Sequence, residues 1–468
     1  ARFCSASICS TDFARSSGAC TASSSCRFSA GASLAAGVAS WSADGPPQAT
    51  PATSLLEVGD EVGSAGQISG GTRAAGRYGP ALYFFEPEAR AANRLDALQQ
   101  AGVRTLVFHE HWTDIQDYGY TPYEEQLRSL VRELHDRGMR LAVYLGYEMS
   151  DRAPEWKRWH EQCLVAPRAG GYQRDPAQTA YIVCFKSPWQ NFLLEHIAHA
   201  VDSYGVDGVY LDGTIEPWGC ANEHHGCGYL GEDGQRHPTY PILAVRQLMR
   251  RMYTLLAARR QPVVIDAHQS LCMMSPTLSW CSGYWDGEQL TSNVEPGRGP
   301  LDYLPLETFQ AEFMGRQWGI PAMFLNYAGK PFEPQEAMAF SLLHDVLPRG
   351  HGLNAVQRLV TPLWNTLDRF GRGKAEFVGY WAAEPWLAAS PTTIKASVYV
   401  HPAPAWLVVV SNLGEKVTTA RLAFSEKLPA NLTAVNALDG QPLPIEGRSL
   451  SLSLPALGYQ VIEVRPSG

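Results

Sequence analysis

The chain has no excess of positive charge: 38 Lys and Arg stand against 46 Asp and Glu, a formal net charge of -8. Without a basic field to neutralise phosphates, a nucleic-acid partner is not expected. No run of about eighteen apolar residues is free of charged or turn residues, so no membrane span is expected either. Glycine-rich phosphate loops are missing, which argues against an open doubly wound sheet. Lysine is absent from residues 1–77, a stretch rich in Ser, Ala, Gly, Arg and Cys with neither helical nor strand periodicity. That segment reads as disordered or non-native. It also lacks the charged start, apolar centre and cleavage site of a signal peptide.

What is abundant is apolar and aromatic: 45% hydrophobic residues and 10% aromatics, with thirteen Trp and twenty Tyr among 468 residues. Such a length suits a barrel of about 250 residues plus an accessory module. From Pro80 onward, short β-branched or aromatic runs alternate with helical patterns, as in successive βα units. The runs are ALYFF (81–85), VRTLVFHEHW (103–112), MRLAVYLGYE (139–148), VDGVYLDG (206–213), PVVIDAH (262–268), CSGYWDGE (281–288), IPAMFLNY (320–327) and a weaker eighth near 339–351. Eight such units predict a TIM (β/α)8 barrel over 78–387. Beyond about 388 the helical patterns stop, and short alternating runs predict an antiparallel β-sandwich over 388–468.

Barrel active sites lie at the C-terminal ends of the strands. Here those ends carry His109, Glu110, His111 and Trp112 on the second strand, Tyr147 and Glu148 on the third, and Asp212 on the fourth. The fifth ends in Asp266, His268 and Gln269, the sixth in Trp285, Asp286 and Glu288, the seventh in Asn326 and Tyr327. Glycosidic cleavage needs two carboxyl groups, one to protonate the leaving oxygen and one to attack, activate water or stabilise charge. Asp212, followed by Gly213, suits the second role. Asp286 and Glu288 both suit the acid, and the pattern does not choose between them. Asp207 reads as a residue of the opposite barrel end. The remaining polar groups, with Trp218 and the other aromatics, are expected to bind an oligosaccharide or polysaccharide through hydroxyl contacts and ring stacking.

Two other readings compete. His109 and His111 form a His-x-His pair that His268 and Asp345 would complete as the metal set of an amidohydrolase. A non-catalytic sugar-binding barrel would keep the same aromatics. In the loop after Asp212, Cys220 and Cys227 bracket His224 and His225, which suits a loop disulfide or a zinc site. Cys163 with Cys184 and Cys272 with Cys281 are further candidate pairs, and such pairing would point to an exported enzyme. No cofactor is implied.

At VDGVYLDG and YWDGEQ, and in the strings HEHWTDIQ, SPWQNFLL and DGVYLDGT, the chain resembles bacterial barrel glycoside hydrolases, including uncharacterised glycoside hydrolase domain proteins. The resemblance spans roughly residues 80–465. It implies the layout of the clan containing α-galactosidases, with the nucleophile ending strand four and the acid/base ending strand six. By position these are Asp212 and either Asp286 or Glu288. The Lys-x-Asp and Arg-xxx-Asp motifs of that clan are absent here, as is the adjacent Asp-Glu pair of the β-N-acetylgalactosaminidase group.

Overall fold

The computed structural model describes residues 55–58, 94–100, 102–174, 176–214, 217–269, 274–287, 300–312, 321–324, 334–348 and 360–467. Eight strands form one sheet: β1 (Leu55–Val58), β2 (Thr105–Phe108), β3 (Arg140–Leu145), β4 (Gly208–Leu211), β5 (Val264–Gln269), β6 (Gly283–Asp286), β7 (Ala322–Phe324) and β8 (Leu347–Pro348). Each is parallel to the next and their spatial order is their sequence order. An open doubly wound sheet would reverse direction at a switch point, whereas unbroken sequential order is that of a TIM barrel. The first strand, Leu55–Val58, lies within the 1–77 stretch that the sequence reads as disordered or non-native, where it is held by parallel pairing with β2. It precedes the ALYFF run, which falls outside the described residues. Strands two to eight arise within the runs that the sequence marks.

These segments become strands because they are short, apolar and buried on both faces: β2 reads TLVF and β4 reads GVYL with every residue buried. Helix Glu124–His135 between β2 and β3 buries Leu127, Leu130, Val131 and Leu134, the one-sided spacing of a helix on a barrel wall. The helix before β4 starts at Trp189, whose backbone N–H donates to Ser187 Oγ at 3.2 Å. Asp207 serves the N-terminal end of the barrel. Its Oδ2 accepts from Leu141 N at 2.9 Å and lies 2.8 Å from His135 Nε2.

Between β3 and the helix before β4 the chain forms a small antiparallel sheet of Glu148–Ser150, Gly170–Arg174 and Gln178–Ile182, which sequence periodicity leaves as a loop. Beyond the barrel, a six-stranded and a four-stranded antiparallel sheet make the sandwich. Its own core includes Val398, Trp406, Val408, Val410, Leu422, Leu450 and Ile462. Strand Ala405–Asn412 is buried at every position, because Leu407 and Val409 on its other face belong to the barrel's core cluster.

Candidate active site

Register decides which strand residues face the barrel interior. Tyr144 pairs with Tyr210, Tyr210 with Asp266, and His268 with Trp285. Paired residues of a parallel sheet point the same way, so these side chains, and Asp212 two residues beyond Tyr210, share the inner face. Ring contacts agree: Tyr210 meets Trp285 at 4.6 Å and Tyr144 at 5.8 Å between centroids, and His109 meets Tyr144 at 4.2 Å.

Above this aromatic floor sits Asp212. The Tyr144 hydroxyl donates to its Oδ2 at 2.7 Å, and His268 Nδ1 lies 3.0 Å from its Oδ1. Its side chain remains 30% exposed. Burial alone would raise its pKa, but the hydrogen bond and charge of His268, the Tyr144 hydroxyl and the nearby His109 outweigh burial and hold it below the ordinary carboxylate value. The result is an ionised, oriented carboxylate with one accessible flank. Burial, reinforced by the Asp212 charge, pushes the Tyr144 phenol well up, so it stays a proton donor to Asp212.

Glu110 and Glu148 lie to one side. Arg174, from the inserted sheet, grips the buried Glu148 with Nη2 at 2.7 Å and Nε at 3.1 Å, while its Nη1 is 3.9 Å from Glu110. Burial raises Glu148, and Arg174 works against it. Glu148 is thus an anchor for Arg174, while Glu110, 23% exposed, is the more open of the two. Behind them, buried Asp117 accepts from Gly146 N at 2.6 Å and Glu148 N at 2.9 Å, tying down the chain where β3 ends. Gly213, with φ +59, lies beneath the Tyr147 ring. A Cβ there would stand 2.3 Å from Tyr147 Cδ1, so the glycine accommodates that ring. Tyr147 in turn stacks on Trp218 at 5.0 Å and 29°.

Several expected contacts take other roles. Trp112 is fully buried and its Nε1–H donates to the Tyr144 carbonyl at 2.8 Å, which makes it a core residue that presents no ring face to a sugar. Trp285 is also fully buried and serves as floor. Asp266 is 2% exposed beneath the floor, where burial pushes its carboxyl up to about 7. Asp286 is fully buried and in register with Phe324, which packs against Phe309 and Phe340 on the helix side. Strand alternation therefore sets Asp286 on the face opposite Trp285. Gln269 pairs with Asp286 in the sheet, and its side chain lies outside the described set. Glu288, Asn326 and Tyr327 are outside the described residues.

The amidohydrolase metal set is not assembled. Asp345 precedes β8, at the end opposite the mouth, where Arg372 Nε donates to it at 2.8 Å and the Tyr399 hydroxyl at 2.7 Å. His268 is turned to Asp212, and His111 is half-buried in the turn after β2. The expected disulfides Cys163–Cys184 and Cys220–Cys227 are not formed: all four thiols are free and buried. They therefore lend no support to export, and Cys272 lies outside the described residues. Among the described residues no helix is long and apolar enough to cross a membrane.

Sequence reasoning passed over Tyr210, Arg174 and Asp117. Tyr210 had a signal, since it stands two residues before Asp212 and so on the same strand face. The other two reach the site through a loop and an inserted sheet, for which periodicity offers none.

No protein-family model and no curated protein matches the chain. Solved structures do. Trehalose-6-phosphate hydrolase of Bacillus licheniformis superposes with a TM-score of 0.56 at 9% identity, over 88% of this chain and 99% of that one. A GH27 β-L-arabinopyranosidase from Geobacillus stearothermophilus gives 0.53 at 11%, over 80% and 92%. A maltogenic α-amylase from Thermotoga neapolitana gives 0.53 at 10%, over 79% and 92%. At such identities the likeness establishes architecture, and this chain carries a (β/α)8 barrel of the kind found in these glycoside hydrolases.

Proposed function

We propose that the barrel mouth hydrolyses O-glycosidic bonds of an oligosaccharide or polysaccharide, with Asp212 as nucleophile or charge-stabilising carboxylate. The observation that carries this reading is the setting of Asp212: at the C-terminal end of β4, ionised, held at both oxygens, and open on one flank above an aromatic floor. An oxocarbenium-like transition state places positive charge at the anomeric carbon, which such a carboxylate stabilises or attacks. The general acid is assigned to the segment ending β6. Glu288 is preferred to Asp286, because Asp286 is fully buried on the strand's helix-side face. Trp218, stacked on Tyr147, supplies an apolar face for a sugar ring.

Glu110 is the competing acid, as a partly exposed carboxylate in the turn after β2, near Arg174. Glu288→Gln and Glu110→Gln separate the two. The true acid variant loses roughly 10²–10⁴ in kcat/KM on substrates with poor leaving groups and far less on activated aryl glycosides. Asp212→Asn is expected to abolish turnover in a screen of aryl glycosides and polysaccharides while leaving the fold intact. Unchanged turnover in that variant sinks the assignment. Because Asp212 is held below the usual range, the acidic limb of kcat/KM for the intact protein is expected below about pH 4. NMR of the first-formed anomer then reports carboxyl spacing, about 5–5.5 Å for retention and about 6.5–9.5 Å for inversion.

A further inference from the structure

Beside the mouth, the loop that follows Asp212 folds back on the end of the inserted sheet and brings four soft donors together. Cys184 follows strand Gln178–Ile182, while Cys220, His225 and Cys227 come from the loop. One donor atom from each lies within 4.8 Å of all the others, and the three cysteines are at most 1% exposed. We propose that Cys184, Cys220, His225 and Cys227 bind a zinc ion, a Cys3His structural site that holds the substrate-side loop of β4 in place.

The distances favour a metal over the alternatives. A tetrahedron with metal–sulfur bonds of about 2.3 Å has sulfur–sulfur edges near 3.8 Å, and Cys184 Sγ is 3.8 Å from Cys227 Sγ. A disulfide needs about 2.05 Å. The edge between a sulfur and a ring nitrogen at about 2.0–2.1 Å from the metal comes to roughly 3.5 Å, close to the 3.3 Å between Cys220 Sγ and His225 Nε2. Three buried thiols and an imidazole with no oxygen donor select a borderline-soft cation, zinc before calcium or magnesium.

The surroundings are built to present these atoms. His225 Nδ1 lies 3.0 Å from the Gln162 carbonyl, which sets the tautomer that leaves Nε2 free to ligate. Asn222 N–H points at Cys220 Sγ at 3.4 Å, and such N–H donors stabilise a thiolate. The Asn222 side chain donates to the Glu161 and Leu164 carbonyls at 2.8 and 2.9 Å, and its Oδ1 accepts from His224 N, shaping the single turn that carries His225. Gly226, with φ +68, lets the chain reverse toward Cys227. His224 is exposed and outside the set. Trp218, two residues before Cys220, packs on this same cluster with Tyr147, so the ion braces a wall of the sugar site.

The test is metal analysis of the full chain, purified under reducing conditions and reconstituted with zinc. About one zinc per chain is expected, with cobalt substitution producing a thiolate-to-metal charge-transfer band and tetrahedral visible bands. His225→Ala should weaken binding at least about tenfold, whereas His224→Ala should not. Should Cys227→Ser fail to fold, X-ray absorption of the unaltered protein decides, with about three sulfurs and one nitrogen expected around zinc. No retained zinc, a sulfur-free ligand shell, or Cys184 and Cys227 recovered as a disulfide would overturn the site. The readout is the ion and its ligands, so it is independent of any glycoside assay.

Discussion

Asp266 stands two residues before His268 on β5 and faces the barrel interior, where it is 2% exposed. Ser282 Oγ donates to its Oδ1 at 3.4 Å, and among the described residues its Oδ2 has no hydrogen-bond partner. Burial pushes the carboxyl up to about 7, so it takes up a proton on folding at any pH between its unfolded value and that one. Its contribution is fully present below about pH 4 and is lost as pH rises through about 7. Asp266→Asn is thus expected to flatten that decline, adding up to a few kcal/mol near neutrality at about 1.4 kcal/mol per pKa unit. Urea unfolding from pH 4 to 8 checks it, and equal pH slopes for both proteins would contradict the buried-acid account. At this scale the sequence announced acidic strand ends but not their offices. Asp212, Asp266 and Asp286 all end or interrupt apolar runs, and only the surroundings separate an open carboxylate from two buried ones.

Among elements, the turn after β4 is the most constrained. Gly213 sits in the left-handed region under Tyr147, whose ring also supports Trp218. Gly213→Ala adds a Cβ at 2.3 Å from that ring and an unfavourable φ of +59, so a loss of about 1–3 kcal/mol is expected. Displacing Tyr147 should also loosen Trp218 and raise KM more than it lowers kcat. Thermal unfolding and steady-state kinetics of the variant read both effects. An unchanged KM would mean that this stack is not part of the sugar site. The pattern GVYLDG makes the strand and the stop legible. The ring that needs the glycine arrives from β3, sixty-six residues earlier by the numbering of Tyr147 and Gly213, and no local signal encodes that meeting.

For the whole molecule, Pro46–Gly468 is one compact unit, and the sandwich is fused to the barrel by chemistry as well as packing. Asp345, in the left-handed region at φ 63, accepts from Arg372 and from Tyr399 of the sandwich, while Ser397 Oγ donates to the Leu343 carbonyl at 2.7 Å. Asp345 and Tyr399 are buried and Arg372 is 18% exposed, so removing Arg372 takes the cationic partner from a buried carboxylate. Arg372→Met is expected to cost about 3–5 kcal/mol and to lower the stability of barrel and sandwich together. Denaturation followed by tryptophan fluorescence and by far-ultraviolet circular dichroism should keep one shared transition. Two separated transitions, with the barrel unaffected, would show that the modules fold independently.

The order of apolar runs and helical patterns along the chain was enough to specify the barrel class and its strands two to eight in sequence, an all-β module after them, and Asp212 at a strand tip, because strand burial and helix amphipathicity are written in local periodicity. The first strand, Leu55–Val58, lies in a stretch without such a pattern. Which acids are open, which tryptophans are core, and how Cys184 joins a loop thirty-six residues downstream at Cys220 were decided only by the fold. Those properties depend on distance and desolvation between segments far apart in the chain, and residue type alone carries neither.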